Sequence, residues 1–174
     1  MSTESVNRLI IKNLNKSLHE VVLIQILRAK DNFLKMKIEV TRLDDAYNFL
    51  ATNDKGNTVE MDSSLEHGGA DKGFRPMQML LAGLGGCSGI DVVDILKKQK
   101  QSLKDLKISI EGEREANAVP SLFKKINIHF TFYGDVEETK AKRAVELSMD
   151  KYCSVAKTLD KSAEISYSFS VVTG

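Results

Sequence analysis

The sequence predicts an α+β domain with mostly antiparallel strand pairing, and three observations carry that reading. Short alternating segments cluster between residues 36 and 61. A single long apolar helix follows. Two long alternating segments then precede a helical stretch and a closing strand. The apolar period switches from two to 3.6 and back, in the order β-β-β-α-β-β-α-α-β. A chain of 174 residues with 42% hydrophobic content can bury one core of ordinary size.

Residues 1–35 stand apart. Leu9, Ile10, Leu14, Leu18, Val21, Val22, Ile26 and Leu27 recur at helical spacing among Asn, Lys, Arg and Glu, which predicts one or two amphipathic helices. A short strand at Leu9–Ile11 competes with that reading. The division is therefore a helical N-terminal extension over 1–35 and the main domain over 36–174. From Met36 the pattern alternates, with Ile38 and Val40 opposite Lys37 and Glu39. Ala46–Thr52 and Thr58–Met61 follow, separated by the turn residues Asn53-Asp54-Lys55-Gly56-Asn57. Residues 64–73 read as a loop, and Pro76 suits the first position of a helix reaching about residue 100. Lys107–Arg114 and Phe123–Tyr133 read as long strands, the second with Ile126, Ile128, Phe130 and Phe132 on one face. A helix from Val136 leads into a short second helix around Lys151–Lys161, and Glu164–Val172 closes the domain as a strand.

Bulk properties narrow the function. A formal net charge of +1 leaves no basic excess of the kind that grips nucleic acid. No stretch reaches the roughly 18 consecutive apolar residues of a membrane span, and the polar N-terminus does not resemble a secretory signal. The expectation is a cytoplasmic protein without nucleic-acid or membrane partners. Two cysteines cannot build a disulfide framework. In a reducing compartment each is either a small buried apolar residue or a reactive thiol.

The helix over 76–100 is apolar nearly all round. Between Met77 and Leu96 its polar side chains are Gln78, Ser88, Asp91 and Asp94, which predicts burial on most sides. It also carries Gly83, Gly85, Gly86 and Gly89, each costing about 1 kcal/mol of helix propensity. Ala82, Gly85, Gly86 and Gly89 share one face, which predicts close packing on a partner helix in this chain or a second subunit. A helix of about 24 residues is roughly 36 Å long, which favours a dimer.

Cys87 lies directly after Gly85-Gly86, with Leu80, Leu84 and Asp91 on its side of the helix. An apolar wall with a thiol fits a pocket for a hydrophobic peroxide, and it fits an inert core cysteine equally well. Asp91 would raise the thiol pKa, whereas a reactive thiolate needs a cation; Arg42 and Arg75 flank the helix and are the candidates. Cys153 opens the second short helix, where free N–H groups and Lys151 and Lys157 favour a thiolate. The two cysteines are too far apart for a CxxC motif and match no zinc spacing, so any link between them is tertiary. His19, His67 and His129 have no second ligand near them in sequence. No metal and no cofactor are assigned.

Three blocks carry a family resemblance: Arg75-Pro76-Met77, Leu84-Gly85-Gly86-Cys87-Ser88-Gly89-Ile90-Asp91-Val92-Val93, and Lys151-Tyr152-Cys153-Ser154-Val155-Ala156. Together they resemble the OsmC/Ohr superfamily over residues 36–172, closest to its YhfA-like branch of uncharacterised redox proteins. The resemblance implies an OsmC-like fold, an antiparallel sheet wrapped around a long buried central helix, in an intertwined homodimer with sites at the interface. It implies that Cys87 attacks an organic hydroperoxide, that Cys153 resolves the sulfenic acid as a disulfide, and that a dithiol reductant reopens it. In that family's peroxidases an acid follows the helix-opening proline and pairs with an arginine, for which Arg42 lies in the matching region. Here Met77 takes the acid's place. The alternative is a dimeric binding module holding a small apolar ligand against Met77, Leu80 and Leu84, with the cysteines structural or redox-sensing.

Overall fold

The computed structural model of the protein describes residues 34–173. The elements expected within 1–35 therefore lie outside the described residues, apart from Leu34 and Lys35, which belong to no regular element. The described residues form two compact units, 34–39 with 52–57 and 40–51 with 58–173. In the smaller one, Asn53 shapes the turn. Its Oδ1 accepts N–H bonds from Lys55 and Asn57, and Gly56 takes a φ of 81°.

Strands β1 (Ile38–Arg42), β2 (Phe49–Asn53) and β3 (Thr58–Met61) form a sheet in that order. β2 begins later than the sequence pattern indicates because Asp44 Oδ1 accepts the N–H groups of Ala46 and Asn48, which holds those residues in a turn. A second sheet has the order β4 (Ser102–Arg114), β5 (Phe123–Asp135), β6 (Glu164–Val172). β4 extends well before Lys107. The polar residues Ser102, Lys104 and Asp105, with a bulge between Leu103 and Asp105, conceal the alternation there.

β4 and β5 pair antiparallel, as expected, but β5 and β6 pair parallel. The chain between β5 and β6 runs through helices α2 (Glu138–Leu147) and α3 (Ser154–Leu159). That crossover returns it to the starting end of β5, so β6 has to run in the same direction. The fold is thus α+β with two three-stranded sheets, in place of one antiparallel sheet.

The long helix α1 (Pro76–Lys98) begins at Pro76, where Gln78 Oε1 accepts the Arg75 N–H at 3.0 Å. Its residues Leu84, Val92 and Leu96 are fully buried with Ile126, Phe130 and Phe132 of β5. Ala141, Ala144 and Val145 of α2 close the same core. Each large apolar side chain buried there contributes about 1.5–3 kcal/mol.

Among the described residues, only one side of α1 is covered. Ile90 is 73% exposed, and Leu80 and Val93 are each 43% exposed, so the expectation of burial on most sides does not hold in this chain. The glycine face also divides. A Cβ on Gly85 or Gly89 would lie 2.9 Å from Ile110 or Ile108 of β4, so these two glycines admit a strand's side chains and not a partner helix. Gly83 and Gly86 have open space in front of them. By length and composition α1 would pass for a membrane span, although its buried face belongs to the core just described.

Candidate functional site

α2 does not end in a plain cap. It runs into a five-residue π-helical turn, Ser148–Tyr152, of a kind that recurs at functional sites. The Cys153 N–H closes this turn by donating to the Ser148 carbonyl at 2.8 Å. Cys153 then takes an extended conformation and caps α3, its Sγ accepting the Ala156 N–H at 3.4 Å. The wider turn aims this side chain back at α1.

Ser148 anchors the turn to α1. Ser148 Oγ lies 3.1 Å from Asp91 Oδ2 and 3.4 Å from the Ser88 carbonyl. One hydroxyl proton serves one acceptor at a time, and the carboxylate is both nearer and charged, so the bond to Asp91 dominates. Ser88 in turn donates its hydroxyl to the Leu84 carbonyl at 2.7 Å, which satisfies a fully buried polar group.

This arrangement unites the two cysteines. The sulfurs of Cys87 and Cys153 and a carboxylate oxygen of Asp91 all lie within 4.8 Å of one another. Both cysteines are free thiols; Cys87 is half-buried and Cys153 fully buried. Burial pushes the Cys153 thiol up from about 9.0 to about 11. The Ala156 N–H opposes that push without cancelling it, and the Cys87 sulfur beside it adds to it. The helix start was expected to favour a thiolate here; desolvation outweighs the cap. The nearby lysines do not redress the balance, since Lys157 pairs with Asp160 at 3.4 Å and Lys151 lies 5.3 Å from the centre of the Tyr152 ring.

The arginines sit elsewhere. Arg75 pairs with Asp71 at 2.7 Å, and Arg42 is exposed in β1. What the fold sets beside Cys87 is a second thiol and an acid. Asp91 is visible in the sequence four residues after Cys87, but Ser148 carries no sequence signal beyond its place near a helix end.

A separate cavity of about 990 Å³ opens where the start of α1 meets β1, β2, β3 and the ends of β4 and β5. Phe49, Met61, Met77, Leu81 and Phe123 line it, with Arg75 and Arg114 among its polar groups. Asp62 frames it. Burial works against that carboxylate's charge, but N–H donors from Lys72, Ala70 and Ser63 together hold it below the usual range. Of the three residues expected to hold a ligand, Met77 lines the cavity. Leu80 lies on the exposed side of α1 and Leu84 in the core, because the helical period turns them away from Met77. Leu81, one turn after Met77, is the neighbour the periodicity could have supplied. Neither cysteine lines the cavity.

The profile of the family described as OsmC-like protein matches residues 68–168, which contain α1, both cysteines, Ser88 and Ser148. The chain belongs to the OsmC-like family. Protein YhfA of Escherichia coli strain K12 is 42% identical over 125 residues, covering 71% of this chain and 90% of that protein. The crystal structure of a hypothetical protein from Aquifex aeolicus VF5 is similar at 33% identity and a TM-score of 0.71, covering 82% of this chain and 99% of that one. An organic hydroperoxide resistance protein from Elizabethkingia anophelis, solved with thiocyanate bound, shares this OsmC-like fold at a TM-score of 0.62 and 16% identity, over 82% of this chain and 99% of that one.

The raised Cys153 thiol sets a pH dependence. The unfolded chain releases this proton near pH 9 and the folded chain only near 11, so stability is unaffected below that window and falls as pH rises through it. In urea unfolding, Cys153→Ala is expected to flatten that part of the stability curve. Native-state alkylation near neutral pH should modify Cys87 and spare Cys153; equal rates at both would contradict the burial argument.

Proposed function

We propose that this OsmC-like protein is a thiol-based redox protein that reduces organic hydroperoxides, with Cys87 attacking and Cys153 resolving. The observation that carries the reading is the meeting of two distant cysteines, one half-exposed and one buried, within 4.8 Å. The half-exposed sulfur is the one a peroxide can reach. The Cys87 thiolate attacks the peroxide's terminal oxygen, the O–O bond breaks, and the alcohol leaves with a proton, giving a Cys87 sulfenic acid. The Cys153 thiolate then attacks that sulfur, the S–S bond forms and water leaves. The proton that Cys153 gives up leaves with the departing hydroxide as water. A dithiol reductant reopens the disulfide, and a cytoplasmic setting supplies one. Structural relatives described as organic hydroperoxide resistance proteins support the same chemistry.

The reading includes a homodimer. The exposed apolar residues Leu80, Ile90 and Val93 and the open glycines Gly83 and Gly86 form a face on α1 suited to a second copy of the chain. A second reading rests on the cavity, whose volume is that of a small-molecule site and whose lining includes Met77 in the position of the family's acid. In it the protein holds a small apolar ligand and the thiols only sense redox state.

Three outcomes test these readings. Wild-type protein with a dithiol reductant should consume cumene hydroperoxide, and Cys87→Ser should abolish this. Cys153→Ser should still form one trappable sulfenic acid per subunit, and no consumption by the wild type would sink the peroxidase reading. Gly86→Leu should weaken self-association in sedimentation by about tenfold or more, the equivalent of ~1–3 kcal/mol of overpacking; a wild type monomeric at all concentrations would contradict the dimer. Native mass spectrometry should find a co-purified ligand under the second reading, retained in Cys87→Ser and lost in Leu81→Trp.

A further inference from the structure

We propose that Cys87, Asp91 and Cys153 form a binding site for a thiophilic divalent cation of the zinc and cadmium class when both thiols are reduced. The three donor atoms come from two elements with no metal-binding spacing between them, yet all lie within 4.8 Å of one another. Two sulfurs and one carboxylate oxygen are a donor set that zinc accepts. With sulfurs about 2.3 Å from the metal at tetrahedral angles, two such ligands stand about 3.8 Å apart. A sulfur and a carboxylate oxygen stand about 3.6 Å apart on the same metal, so the donors need to draw in by roughly 1.2 Å at most, a movement within reach of small side-chain rotations.

The groups behind the donors are already in place. Ser148 donates its hydroxyl to Asp91 Oδ2 at 3.1 Å and so fixes the carboxylate. The Ala156 N–H bonds to Cys153 Sγ at 3.4 Å, and the π-turn closed at Ser148 holds the Cys153 backbone. Cys87 and Asp91 are half-buried, which leaves the fourth coordination position to water. Binding displaces the thiol protons to solvent and transfers no electrons. The divalent charge offsets the negative charge that two thiolates and a carboxylate would otherwise concentrate in one place.

This inference does not depend on peroxidase activity. It does place the metal and the disulfide in competition for the same sulfurs: an occupied site withholds the thiols, and a Cys87–Cys153 disulfide has no thiolates to offer.

The test is titration of the fully reduced protein with Cd²⁺, reading the ultraviolet sulfur-to-cadmium charge-transfer band. The band should saturate at one equivalent per subunit. Asp91→Asn should weaken binding about tenfold or more, and Ser148→Ala by about tenfold, the usual effect of losing a group that orients a ligand. In the unmutated protein one equivalent of Zn²⁺ should slow iodoacetamide modification of Cys87. Absence of the band, lack of protection in the wild type, or wild-type affinity in a folded Asp91→Asn variant would overturn the proposal. These measurements use no hydroperoxide, and the peroxidase assays run with a chelator, so either reading can fail without the other.

Discussion

The site depends on Ser148. Its carbonyl accepts the Cys153 N–H and closes the π-turn, while its hydroxyl holds Asp91 on the long helix. One residue thus fixes both the direction in which Cys153 leaves the turn and the distance between that turn and α1. An ordinary α-helical continuation would rotate the following residue by about 100° and carry its sulfur to another face. The parallel β5–β6 pairing imposes the same requirement from outside. The chain has to cross back over α1 to begin β6, and the turn at Ser148–Tyr152 lies on that crossing.

Opposing terms set the chemistry of the paired thiols. A helix start favours a thiolate at Cys153, but full burial outweighs it and the thiol stays protonated through the neutral range. Asp91 adds an acid where a cation would activate a nucleophile. Cys153 is thus the buried, protonated member of the pair, whereas Cys87 keeps its access to solvent. The same two sulfurs and carboxylate are the donor set proposed for a divalent cation. Proton, peroxide and metal would therefore compete at one place.

Much of the fold was legible because its signals are periodic. Thr58–Met61 and Glu164–Val172 have the expected limits, and Ile126, Ile128, Phe130 and Phe132 are buried together as the alternation requires. The direction of β6 was not legible, since strand direction follows from the path of the connection and not from the strand's own residues. The glycines of α1 misled for a related reason. Their spacing announces a close neighbour but not its kind, and Ile108 and Ile110 of β4 fill the space in front of Gly85 and Gly89. At the site, the cysteines and Asp91 stood out by residue type. Ser148 and the cavity residues Phe49, Met61 and Phe123 did not, because their roles exist only after distant segments meet.

The proposed redox pairing of Cys87 and Cys153 leaves a covalent trace. Non-reducing peptide mapping of the wild-type protein after one equivalent of an organic hydroperoxide tests it most directly. Redox pairing yields a single linked species joining the Cys87 and Cys153 peptides, two hydrogens lighter than the pair. Cys87 converted to sulfinic acid with Cys153 still a free thiol, or both cysteines unchanged, would contradict it.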